Sequence, residues 1–190
     1  ALSTQKYYHF CRLMGRSASN VVLEVALQTN PNMCILCEEV AALNLSLKQL
    51  TEQAVEMIRR RAQAGKNYGT ILIPEGLIEF IPEFSSMIAE INDLGDGLTE
   101  KEVLAALSEK SAELLRFLPD FLRREILLDR DPHGNVQVAK IETEKLLSWC
   151  VSMELTRLRT AGEYQGTFAA QSHAFGYEGR AGFPSIFGGQ

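Results

Sequence analysis

Short apolar runs and amphipathic stretches take turns along this chain, and that alternation narrows the possible architecture more than any single residue does. Tyr7 to Met14 (YYHFCRLM) reads as a strand, and 17–28 follows with helical spacing. The run NMCILCEEV, 32–40, reads as a second strand, continuously apolar as expected where both faces of a sheet are covered. Ser46 and Gln49 stand at capping-box spacing ahead of Leu47, Leu50, Ala54, Met57 and Ile58, and Gly65 supplies a stop, which predicts a helix. YGTILIPEG, 68–76, is a third strand, ended where Pro74, Glu75 and Gly76 turn the chain out of the sheet. Strands separated by helices predict an α/β fold, a mostly parallel sheet covered by helices.

From Pro82 to Leu128 the pattern becomes wholly helical. Phe84, Met87, Ile88, Ile91 and Leu94 mark one apolar face that Gly95 ends, Thr99 with Glu102 caps the next helix, and Pro119 divides the rest. This stretch, about 82–130, is expected to be a helical insertion on a single α/β domain spanning 1–190. DRDPHGN reads as a surface turn, Ile141 to Arg159 as a long helix with Leu147, Cys150, Val151, Leu155 and Leu158 on its buried stripe, and 167–176 as a last strand.

At 190 residues the chain suffices for one sizeable core. The formal charge of -5 argues against a general nucleic-acid binder, though not against an anionic small molecule held by a few arginines. No apolar stretch approaches the ~18 residues that cross a bilayer, and no export pattern opens the chain, so a cytoplasmic protein is expected. Because the sequence opens on Ala1 with strand-like text close behind, it is also expected to be a piece of a longer polypeptide. Cys34 and Cys37 form a CxxC, but on a strand a separation of three puts the thiols on opposite faces, and a redox CxxC prefers a helix N-terminus. Core thiols are the better expectation. His9 and His173 lie on strand candidates and read as core or edge residues, His133 as solvated, and Arg59, Arg60 and Arg61 as cations closing a helix.

Three segments lie just past strands: Met14-Gly15-Arg16, Pro74-Glu75-Gly76 and Tyr177-Glu178-Gly179-Arg180. Ligands of open α/β sheets gather outside the carboxyl ends of the strands, so these loops are expected to meet at one crevice. Their chemistry is complementary: arginines for phosphate oxygens, a carboxylate for sugar hydroxyls, a tyrosine to stack or hydrogen-bond, and glycines that let backbone approach a ligand. Amides of the first helical turn, through Ser17 to Ser19, would favour an anion there, although Ser17 or Ser19 capping the helix with Arg16 in solvent explains the same text. Neither GxGxxG nor GxxxxGK[ST] is present, which argues against dinucleotide or triphosphate binding.

KYYHFCRLMGRSASNVVLE, ILIPEGLIEFIPE, IETEKLL and FGYEGRAGFPS, in that order, resemble the long form of the pyrophosphate-dependent phosphofructokinases across essentially the whole chain. The resemblance implies a phosphofructokinase-like fold with Rossmann-like layers and the fructose 6-phosphate-binding portion of an enzyme that moves a phosphoryl group reversibly from pyrophosphate to the sugar's 1-hydroxyl. Met14, Gly15 and Arg16 match the family's MGR, which holds the sugar phosphate and stabilises the transferring group. Glu75 matches the acid on the sugar hydroxyls, and Tyr177, Glu178, Gly179 and Arg180 match the YEGR that closes on substrate. Lys6 and Tyr7 match a pair reaching into the neighbouring subunit's site, which implies a homo-oligomer. The family's GGDD and TIDGD, which bind pyrophosphate and supply the catalytic base, are absent here, and FGGQ stands where a longer segment normally follows. Magnesium is therefore expected in the full enzyme with ligands outside this chain, and the isolated chain is expected to be inactive. A non-catalytic regulatory subunit, the ATP-dependent branch of the superfamily and a purely structural α/β interaction domain are the alternatives.

Overall fold

The structure, a computed structural model, describes residues 4–15, 19–95, 97–131 and 133–176. Four strands form one sheet: β1 (Tyr8–Leu13), β2 (Met33–Cys34), β3 (Gly69–Pro74) and β4 (Ala170–Phe175). The order is β2-β3-β1-β4 and every pairing is parallel, with Tyr8 opposite Gly69 on one side and Ala170 on the other. Parallel neighbours require crossovers, and helices make them: α1 (Asn20–Thr29), α2 (Cys37–Leu43) and α3 (Leu47–Gln63) before β3, then six more up to α9 (Thr143–Thr160) before β4. The expected α/β fold is what forms. Among the described residues, no helix is long and apolar enough to cross a membrane.

Local chemistry accounts for most boundaries. Ser46 Oγ accepts from the Gln49 amide and Gln49 Oε1 from the Ser46 amide, the reciprocal box expected at the start of α3. Thr99 and Glu102 do the same for α6 (Glu100–Ala106). Helix α5 (Pro82–Leu94) starts on proline and stops at Gly95, and α7 (Glu109–Phe117) and α8 (Asp120–Leu128) divide at Pro119. A one-turn helix, α4 (Leu77–Phe80), fills the space after Gly76 and was not expected. In the DRDPHGN turn, the Asp131 carboxylate accepts from the His133 and Asn135 amides.

One expectation fails. The run 32–40 is not a strand: only Met33 and Cys34 pair with β3, and at Cys37 the chain turns into α2. A continuous apolar run fits a buried helix as well as a buried strand, and Glu38 and Glu39 in its first turn mark a helix N-terminus. Cys37 thus occupies the kind of position that activates a thiol, yet burial pushes it up to about 11, and the other three cysteines are also raised by burial. All four are free thiols, three of them buried in the core and Cys34 half-buried.

Alternation along the strands sends two unequal faces outward. Tyr8, Phe10, Ile71 and Ile73 point into a large core with Leu50, Ala54 and Ile58 of α3, Leu147 and Val151 of α9, and residues of α5, α7 and α8. Cys11, Leu13 and Leu72 point the other way, where the buried cluster is completed by Val22 of α1 alone. The sheet is therefore not covered equally: beside α1, the outer face of β4 keeps Phe175 38% exposed.

Candidate functional site at the carboxyl ends of the strands

Since β3, β1 and β4 are adjacent and parallel, their carboxyl ends lie side by side. The backbone continues the pairing past the strands: the Glu75 amide donates to Leu13 O at 2.9 Å, and the Met14 amide to Phe175 O at 3.0 Å. The Gly15 amide then donates to Glu75 Oε2 at 3.4 Å, a long bond joining two segments that are 60 positions apart. Gly15 has φ +129°, a conformation open to glycine and hardly to other residues, so its place at this turn follows from the backbone path. Glu75 is half-buried, with one carboxylate edge on Gly15. Glu75, Met14, Gly15 and the end of β4 thus meet as the strand-end reading requires. Arg16 lies outside the described residues, as do Tyr177, Glu178, Gly179 and Arg180, which follow Phe175 and Gly176 in the chain.

Lys6 and Tyr7 are elsewhere. They precede β1, at the amino end of the sheet, with the length of the strand, about 17 Å at about 3.3 Å per residue, between them and the Gly15 end. Within one chain they cannot join Glu75; the expected contact with a neighbouring subunit remains geometrically open. Lys6 is exposed, and the Tyr7 ring lies edge-on to His9 at 6.3 Å. His9 and His173 pair across β1 and β4, Nδ1 to Nε2 at 2.9 Å, which supports the core-or-edge expectation for both. Arg60 pairs with Glu56, and Arg61 donates to Tyr68 O, so these cations serve the end of α3.

The helix start after Arg16 departs from expectation. Ser19 stands at the N-cap of α1 but makes no side-chain bond to that helix. Its Oγ accepts instead from the Cys37 amide at 2.8 Å, and its own amide donates to Glu38 Oε1 at 2.8 Å. The Ser19 amide is therefore not free for an anion. The Glu38 carboxyl is held below the usual carboxylate range, chiefly by that backbone donor. Sequence reasoning missed both contacts, although the Glu38-Glu39 pair was the available signal for a helix start beside them.

Beneath the crevice, Arg12 directs Nη1 to Ala139 O at 3.1 Å and Ile141 O at 3.0 Å, and Nε to Glu144 Oε2 at 2.9 Å. Glu144 is 2% exposed; burial raises its pKa, and Arg12 opposes that rise. This pair ties the end of β1 to the start of α9. A separate hollow of about 750 Å³ lies between α3, α7 and α9, lined by Leu47, Leu114, Phe117, Cys150 and Met153; it touches none of the strand-end residues. At the strand ends, a carboxylate and glycine backbone lie in reach of each other.

No protein-family profile matches the chain. Individual relatives do: it is 53% identical to pyrophosphate--fructose 6-phosphate 1-phosphotransferase subunit beta 1 of Arabidopsis thaliana, over 98% of this chain and 34% of that protein. The chain belongs to the pyrophosphate-dependent phosphofructokinase family. It spans about a third of the length of the curated relatives it matches, and so corresponds to a part of them. The same part is 45% identical in the pyrophosphate--fructose 6-phosphate 1-phosphotransferase of Treponema pallidum (98% of this chain, 35% of that protein). It is 44% identical in the alpha subunit of Solanum tuberosum (98% and 31%).

Proposed function

We propose that this chain is the fructose 6-phosphate-binding part of a cytoplasmic enzyme that transfers a phosphoryl group reversibly from pyrophosphate to the sugar's 1-hydroxyl, giving fructose 1,6-bisphosphate. The observation that carries the reading is the Gly15 to Glu75 contact, which brings two of the three motif-bearing loops together beside the end of β4. The names of the relatives, over nearly the whole chain, support the same chemistry.

Phosphoryl transfer asks the protein chiefly for alignment and charge neutralisation. Glu75 accepts from sugar hydroxyls and fixes the ring. Arg16 faces the moving phosphoryl group, and Met14 and Gly15 present backbone beside it. Arg180 holds the sugar's own phosphate, and Tyr177, Glu178 and Gly179 belong to the same substrate-binding motif. Lys6 and Tyr7 serve the site of a second copy in a homo-oligomer, which accounts for their distance from their own Glu75. As the new P–O bond forms at the sugar oxygen, the bond to the leaving phosphate breaks, and the hydroxyl proton goes to a base in the remainder of the enzyme. Magnesium, expected with pyrophosphate, belongs to that remainder too.

The test is titration of fructose 6-phosphate into the full-length protein, with Arg16→Ala and Arg180→Ala alongside in a turnover assay. Arg16→Ala lowers kcat more than it changes affinity, and Arg180→Ala mainly raises KM. The reverse pattern exchanges the two roles; sugar phosphate binding without turnover in the unaltered protein selects the regulatory-subunit alternative.

A further inference from the structure

We propose that the hollow between α3, α7 and α9 seats a segment from the remainder of the full-length polypeptide, one that inserts large apolar side chains and sets a lysine or arginine against Glu83. The inference is independent of the substrate assigned above.

The hollow, of about 750 Å³, opens on the side of the sheet that α3 and α9 cover. Its floor is made by buried side chains, Leu47 and Thr51 from α3 and Cys150 from α9, and Leu47 and Cys150 belong to the main core. Phe117 and Met153 stand over that floor, yet 47% and 46% of them is exposed. Trp149, half-buried, lies against Phe117 with ring centroids 5.1 Å apart, and the exposed Phe121 follows at the start of α8. A single exposed apolar residue is ordinary, but a concave group of aromatic and sulfur-bearing side chains continuous with the core marks a contact surface. Phenylalanine, tryptophan and methionine are the residues enriched in such contacts.

Charge and chain length identify the occupant. Around the mouth, Arg157 is bonded twice to Glu154, at 2.9 and 2.6 Å, and Lys48 stands 3.8 Å from Glu52. Each of these cations already faces a carboxylate, which leaves neither for a sugar phosphate or pyrophosphate. Glu83, exposed in the first turn of α5 at the same mouth, differs: it makes no ion pair among the described residues. An occupant that buries apolar side chains here takes water from that carboxylate, and a cation on the occupant offsets the cost. A second copy docked through the same surface would bring the same committed cations, so it answers Glu83 poorly. The rest of the polypeptide is the remaining source: the chain spans 34% of the Arabidopsis thaliana relative, so the larger part of such a protein lies outside it. An apolar centre with charges at the rim is the anatomy expected where one part of a chain docks on another.

The experiment uses the full-length protein with the photo-reactive residue p-benzoylphenylalanine in place of Met153 and, as control, in place of Leu27, an exposed position on α1. After irradiation the position-153 protein is expected to give a product of single-chain mass whose cross-linked peptide lies outside this 190-residue part, a peptide that position 27 does not label. Glu83→Lys, which sets like charges together, should cut the yield about threefold or more, whereas Glu109→Lys, the same reversal in the first turn of α7, should leave it unchanged. A dimer-sized product, links confined to this part of the chain, or no link at all overturns the proposal. A yield that Glu83→Lys leaves unchanged overturns it as well, since the occupant then carries no cation there, and so does an equal fall in Glu109→Lys, which traces the effect to a helix start. Should the position-153 protein not fold, the same residue in place of Phe117, on the α7 wall of the hollow, carries the test with the same outcomes.

Discussion

The two faces of the sheet differ in what holds them. Toward α3 and α9, Tyr8, Phe10, Ile71 and Ile73 are wholly buried in a core that also takes in α5, α7 and α8. Toward α1, four residues make the buried cluster, with half-buried Val25, Ala26, Cys34 and Leu36 packed against it, and directional polar contacts, Ser19 with Cys37 and Glu38, and Gly15 with Glu75, add to the holding. Stability therefore resides on one side and the motif-bearing segment on the other. A densely packed neighbour resists small changes in volume, whereas a backbone hung on a few hydrogen bonds can be adjusted without disturbing the core.

The most direct way to break this contrast is to truncate one residue on each side. Phe10→Ala should destabilise the full-length protein by about 3–5 kcal/mol in denaturant unfolding, and Leu72→Ala by about 2–3 kcal/mol. Equal losses would remove the distinction between the faces. Arg16→Ala should do the opposite of Phe10→Ala, costing about 10²–10³ in turnover, as loss of one transition-state contact typically does, with little change in melting temperature.

Arg12→Met sharpens the contrast through pH, because it strips the partner from a buried carboxylate on the thick face. Breaking such a pair costs about 3–5 kcal/mol. Glu144 has a folded-state pKa above its ordinary value, so the native protein binds more protons than the unfolded one between those two values. Stability from this group is therefore present on the acid side and lost as pH rises through that window. Without Arg12 the pKa rises further and the loss deepens. The variant should thus sit closest to wild type near pH 5 and furthest at pH 7 and above, read from unfolding midpoints. A gap that widens on acidification would contradict the sign. The smallest effect is Ser46→Ala, which deletes the acceptor of the box on α3: about 1 kcal/mol of stability with turnover unchanged.

What could be read from the residues was what local chemistry decides. Ser46 with Gln49, Thr99 with Glu102, Pro82, Gly95 and Pro119 each carry their boundary in a few adjacent positions, and the structure places the boundaries there. The strand ends at Leu13, Pro74 and Phe175 were visible for the same reason, and with them the meeting of Gly15 and Glu75. The misread stretch is 32–40, whose apolar run suits strand and helix alike; what starts α2 includes a hydroxyl that sits 18 positions upstream of Cys37. No window on the sequence contains both partners. Ser19 does stand at the N-cap of its own helix, one of the two readings of that stretch, but its hydroxyl's partner was hidden for the matching reason, since it is a distant amide that claims it.

The central strand β1 comes first in the chain, yet one of its two neighbours, β4, comes last among the strands. During synthesis Tyr8 therefore waits for Ala170 to leave the ribosome, on the order of ten seconds or more at ~5–20 residues per second. Until then one edge of β1 stays unpaired and sticky, which makes the nascent chain a natural client for chaperones.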